Sequence, residues 1–138
     1  MPRSEHVQLL LYKAEQDEQA LDILLRDAGA PLEVAGFLAQ QAAERMLKAA
    51  LKAAGVDYPF THVIDRLIYL VEQAGMDLPQ ELGALSALTP FAADLRYEPL
   101  SNGDAAALDV AHARRLLRRL RAWVEDLVEA GNGGDDAQ

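Results

Sequence analysis

No cysteine occurs among the 138 residues, which excludes disulfides, thiolate metal sites and a thiol nucleophile and fits a reducing compartment. Aromatic residues make up only 6%, too few for the cross-strand pairs of a sheet-rich fold. Basic charge is also short: 13 Lys and Arg face 22 Asp and Glu, for a net charge of −9. A broadly basic nucleic-acid binder, which must neutralise many phosphates, is excluded, so any polyanion has to be held locally. No apolar run approaches the roughly 20 residues of a membrane span, and the polar start leads to the expectation of an unprocessed chain. The expectation is a soluble, cytoplasmic protein. The 51% of hydrophobic residues supply one core, and the length suits one domain.

Glycine and proline divide the chain into helix-sized blocks whose apolar residues recur at three and four positions, which predicts an all-α fold. The first block, residues 4–28, carries Val7, Leu10, Leu11, Ala14, Leu21, Leu24, Leu25 and Ala28 on one stripe and ends at the turn of Gly29, Ala30 and Pro31. A second helix is predicted over 32–54, stopping at Gly55, and a third over 62–74, capped by Thr61 and stopped by Gly75. Pro79 suits the first turn of a fourth helix, whereas Pro90 falls inside that block, so this helix is expected to kink or to restart with Thr89 as its cap. The fifth is predicted over 104–130, with a disordered acidic tail at 131–138 and the domain at 1–130. No internal repeat is evident. Alanines such as Ala42, Ala43, Ala49, Ala50 and Ala53 allow close helix approach, either inside the bundle or across subunits.

Three polar features stand out. The fifth helix holds Arg114, Arg115, Arg118, Arg119 and Arg121, with no acid between Val110 and Val124. Arg114, Arg118 and Arg121 share one helical line. The stripe either binds a polyanion or an acidic partner, or pairs with the chain's own surplus acids. The second helix carries Gln41, Glu44 or Arg45, Lys48 and Lys52 along a line that alone reads as a solvated face. In the first helix Asp17 and Glu18 interrupt the apolar stripe, and an inward acid requires a buried cation or a wet groove; Arg96 is the expected kind of partner. Phosphate loops, nucleophile elbows and zinc motifs are absent. The lone Asp109-x-x-His112 does not make a di-iron site, which needs paired motifs. No metal and no cofactor is expected.

The run from Phe37 through Gln40, Gln41, Glu44, Arg45 and Lys48 to Leu51, then Thr61-His62, then Leu88-Thr89-Pro90-Phe91 with Asp94, Arg96 and Tyr97 resembles the HEPN family (higher eukaryotes and prokaryotes nucleotide-binding) over residues 12–130. The resemblance implies an antiparallel up-and-down bundle of four to five helices, commonly a homodimer, with a cleft for RNA or a nucleotide. It assigns binding to Arg96 and Tyr97, with Gln41, Glu44 and Lys48 from the second helix. Catalytic members are metal-independent ribonucleases that use an Arg, four to six residues, then a His, pairing charge neutralisation at phosphorus with proton transfer. Here Arg96 is followed at those spacings by Ser101, Asn102 and Gly103, and no other Arg precedes a His in that way. Neither Asn nor Ser shuttles protons near neutral pH.

The leading expectation is therefore a non-catalytic HEPN module binding RNA, a nucleotide or a minimal nucleotidyltransferase, as in toxin-antitoxin-type pairs. One alternative is a ribonuclease with a degenerate site, in which Asn102 or His112 replaces the missing His. The other is a dimerising adaptor in which Arg96 pairs internally with an acid such as Asp17.

Overall fold

The computed structural model describes residues 4–92 and 109–136, with side chains as far as residue 130. Every regular element among them is helical: α1 (Glu5–Leu24), α2 (Leu32–Ala53), α3 (Ile64–Gln73), a 3₁₀ segment (Gln80–Phe91) and α4 (Val110–Asp136). This is the all-α bundle that the apolar periodicity predicts. α2 lies at its centre and packs against each of the other four elements. Ala35, Ala39, Ala42, Ala43, Ala49 and Ala50 are buried around Met46, Leu47 and Leu51. Their small side chains let neighbouring helices approach from several sides, so most of the alanines serve the inside of the bundle.

Helix ends follow from local chemistry. Ser4 caps α1, its Oγ accepting from Val7 N at 3.1 Å. Asp109 caps α4, accepting from His112 N at 2.9 Å, so the Asp-x-x-His spacing is a helix start. α2 and α3 end alike. Gly55 and Gly75 adopt φ of 77° and 82°, and the next amides, Val56 and Met76, donate back to Leu51 and Val71. Both stops are Schellman motifs, which need a left-handed residue that glycine supplies without strain. Their sequences, Ala54-Gly55-Val56-Asp57-Tyr58-Pro59 and Ala74-Gly75-Met76-Asp77-Leu78-Pro79, form a short repeat that the sequence reading missed.

Several boundaries differ from expectation. α1 stops at Leu24, and Asp27 accepts from Gly29 N at 2.8 Å in an Asx turn that competes with helix. The backbone of α4 continues to Asp136, beyond the stop predicted at residue 130; glycine inside a helix costs about 1 kcal/mol but does not block it sterically as proline does.

The block around Pro90 is neither a kinked nor a restarted α-helix. Leu82, Leu85, Leu88 and Phe91 are its buried residues, recurring every three positions. Three residues per turn align that spacing on one face of a 3₁₀ helix, whereas on an α-helix it would drift around the axis. Phe91 seats on Gly36 of α2, where any β-carbon would collide with the ring. Thr89 does not cap its own segment. Its Oγ1 accepts from Ile64 N at 3.1 Å and caps α3, while Thr61 accepts from Val63 N, one residue earlier.

Candidate functional site

Glu18 occupies the inward stripe of α1 with Val7, Leu11, Ala14 and Leu21 and is only 4% exposed. Two arginines of α4 compensate its charge. Arg114 Nη1 donates to Glu18 Oε1 at 3.2 Å, and Arg121 Nε donates to Oε2 at 2.7 Å, with a second bond from Arg121 Nη2. The Arg114 fork also grips Asp22 through Nε and Nη2 at 2.6 and 2.9 Å, and Arg121 Nη1 donates to Glu125 at 3.1 Å. Hydrogen bonding from Arg114 holds the Asp22 carboxyl below its ordinary range and raises Arg114 in return. For Arg121, burial pulls downward, but Glu18 outweighs it and the guanidinium is raised. Charge-assisted forks of this kind fasten α1 to α4.

Asp17 takes a different cation, Arg45 of α2, at 2.6 Å. Burial raises the Asp17 carboxyl, and Arg45 only partly offsets this. Arg96, the cation expected for these inward acids, lies outside the described residues. Among the described residues Arg45 of α2 and Arg114 and Arg121 of α4 take that role.

A second cluster forms on α2. Glu44 and Lys48 are 5% and 8% exposed, so the middle of their line is not a solvated face, and only Lys52 at its end is exposed. Glu44 Oε1 accepts from Gln40 Nε2 at 2.9 Å and lies 2.8 Å from His62 Nδ1, while Oε2 accepts from Lys48 Nζ at 2.9 Å. Gln40 also donates to the His62 carbonyl at 3.1 Å, and Gln41 donates to Gln40 Oε1 at 3.0 Å. The Lys48 ammonium sits 5.4 Å from the Tyr58 ring centre, a cation–π contact. The Tyr58 hydroxyl lies 2.5 Å from His6 Nε2. The cluster therefore runs from the start of α1 through the α2–α3 connection to the start of α3. Burial alone would raise Glu44, but hydrogen bonds from Gln40, His62 and Lys48 outweigh it and hold the carboxyl below its ordinary value. Burial and the Glu44 charge both raise Tyr58. A carboxylate engaged by three donors is a positioning group, poorly disposed to accept a substrate proton.

Gln41, Glu44 and Lys48 are thus brought together as expected of one helix, whereas Arg96, Tyr97 and Asn102 lie outside the described residues. Gln40, His62 and Tyr58 were missed. The four-residue ladder Gln40–Glu44–Lys48 was the available signal for Gln40, while His62 and Tyr58 reach the cluster through a loop.

The arginines of α4 divide into two sets. Arg114 and Arg121 are committed to the chain's own acids, one of the two readings of the stripe, and Arg118 on the same helical line is the more exposed. Arg115 is exposed without an ion pair among the described residues. Arg118 is 61% exposed with one nitrogen 4.0 Å from Asp22, and Arg119 is exposed and paired with Glu81. Two grooves flank these side chains. One, of about 560 Å³, is lined by Arg26, Arg114, Arg115 and Arg118 with Asp22. The other, of about 490 Å³, is lined by His112, Arg115, Arg118 and Arg119 with Glu81. Among the described residues no group of His, Asp and Glu is placed to hold a metal ion, and no helix is long and apolar enough to cross a membrane.

A family model described as HEPN domain matches residues 7–127. No curated protein and no solved structure gives a match.

Proposed function

Starting from the fact that this chain belongs to the HEPN family, a nucleotide-binding and RNase-type family, we propose that it binds RNA or a nucleotide through its phosphates and does not cleave the strand. The observation that carries this reading is the concentration of exposed guanidinium groups around two grooves of α4 on a chain of net charge −9. Arginine suits phosphate because its planar fork donates two parallel hydrogen bonds. Catalysis is disfavoured because no Arg precedes a His at the family's spacing. Of the described histidines, His62 is turned to Glu44 and His112 stands on the groove wall. Labelled RNA incubated with the protein in chelator should be retained by anisotropy and remain intact on a gel. Cleavage abolished by Arg96→Ala or His112→Ala would instead establish the degenerate ribonuclease.

A partner minimal nucleotidyltransferase, as in a toxin-antitoxin-type pair, is the finer form of this proposal and is tested by co-purification with the product of a neighbouring gene. A homodimer has an independent support. Leu9, Tyr12 and Ile23 of α1 are 51%, 55% and 62% exposed, and with Gln16 and Ala20 they form an uncharged outer stripe. Antiparallel pairing of two such stripes about Gln16 would cover the large residues at both ends without opposing like charges, as a two-fold interface requires. Sedimentation should give a dimer that Tyr12→Glu with Ile23→Glu converts to a monomer. A dimer that binds neither RNA nor nucleotide would be the adaptor reading.

A further inference from the structure

The internal wiring of α4 leaves a specific surplus at its surface. Among the described residues two acids line the grooves, Asp22 and Glu81. Asp22 is gripped by the Arg114 fork at 2.6 and 2.9 Å, and Glu81 is paired with Arg119. Arg26, Arg115 and Arg118 therefore add positive charge that no groove acid fully cancels. Arg115 and Arg118 belong to both linings, so they form a ridge between the grooves, with neighbouring positions on one helix about 5–6 Å apart.

Resting on the phosphate-binding reading above, we infer that Arg26, Arg115 and Arg118 form a track for the backbone of a single RNA strand, which crosses the ridge from one groove to the other. A small phosphate ligand would occupy one groove and leave the rest of the charge unused. A protein partner would need an aromatic or aliphatic anchor at its centre; among the described residues the linings offer just Leu25, Ala111 and Leu116. Among the described residues no aromatic lines either groove, so the described surface offers a strand charge rather than a stacking platform, and recognition there is by the backbone, indifferent to sequence. A duplex would extend over surface that is acidic overall and meet repulsion there.

The test uses fluorescence anisotropy with labelled oligoadenylate and oligouridylate, titrated with the full chain and with Arg115→Ala/Arg118→Ala. Both substitutions lie at exposed positions, so the thermal midpoint should be unchanged. The expected result is equal weakening of both oligomers, by about tenfold, and a shallower dependence of log affinity on log salt by about 1.4, from roughly 0.7 per phosphate on a single strand. Tripolyphosphate and polyglutamate serve as competitors, and tripolyphosphate should displace RNA far better than polyglutamate at equal charge. Equal affinity and slope in the variant, with the wild type still binding, would overturn the track while leaving nucleotide binding in place. Tripolyphosphate binding without RNA binding would replace the strand with a small phosphate ligand, and equal displacement by polyglutamate would make the ridge a protein-docking surface. Failure of the wild type to bind any RNA or nucleotide would remove the underlying reading itself.

Discussion

Glu18 and Glu44 each stand where a helix turns toward the core, and each is almost fully buried, but the chain neutralises them differently. Glu18 is held by two guanidinium groups from one other helix, α4. Glu44 is held by an amide and an ammonium from its own helix and by an imidazole from the α2–α3 connection. The first arrangement joins helices distant in sequence by groups that stay charged throughout the accessible pH range. The second organises a loop and a helix start through weaker, mixed donors. One buried glutamate thus bolts the bundle, while the other shapes an edge of it.

Removing the bolt should have the largest effect. Glu18→Ala leaves Arg114 only Asp22 and Arg121 only Glu125, both more exposed acids, and should cost about 3 kcal/mol in urea unfolding, the lower end of the penalty for breaking a buried pair by deleting one partner. A loss no larger than that of Glu44→Gln would mean that the two glutamates are equivalent after all. Glu44→Gln keeps the shape but withdraws the anion from Lys48 and His62, and should cost about 1–3 kcal/mol. Its heteronuclear NMR spectrum should change mainly around Tyr58 and His62. Changes centred on α4 would contradict the separation of the clusters.

Acid sharpens the contrast. Glu44 and Asp22 have lowered carboxyls, so as pH falls past their ordinary values the unfolded chain binds protons first and stability declines until the lower folded values are passed. Asp17 is raised. Its folded carboxyl binds a proton before the unfolded one does, so its contribution is present at low pH and fades as pH rises through the window above 3.8. Urea midpoints measured from pH 6 to pH 3 should therefore fall less steeply in Glu44→Gln and more steeply in Asp17→Asn than in the wild type. The smallest effect belongs to Arg118→Ala, within about 0.5 kcal/mol, because an exposed and loosely paired arginine contributes little to folding.

The sequence made the helices legible because apolar spacing and glycine stops act locally. It misled at Gln80–Phe91 because a strict spacing of three was read through an α-helical template broken by Pro90. The inward acids Asp17 and Glu18 were visible as a demand for cations, yet their partners were hidden: Arg114 and Arg121 lie 96 and 103 positions from Glu18, a distance over which local periodicity carries no information. Glu44 and Lys48 were recognisable as a favourable pair. Their burial was not, because it depends on α2 being the element that all the others cover.

The hydroxyl that Thr89 lends to Ile64 has a kinetic corollary. α3 has ten residues, fewer than an isolated helix needs to persist in water, and its first free amide is satisfied from 25 positions downstream. That turn can be completed only once the chain beyond it has arrived and docked. Deuterium uptake at the Ile64 amide should consequently report the coming and going of the 3₁₀ segment, and Thr89→Val should accelerate exchange there ahead of any change in the middle of α2.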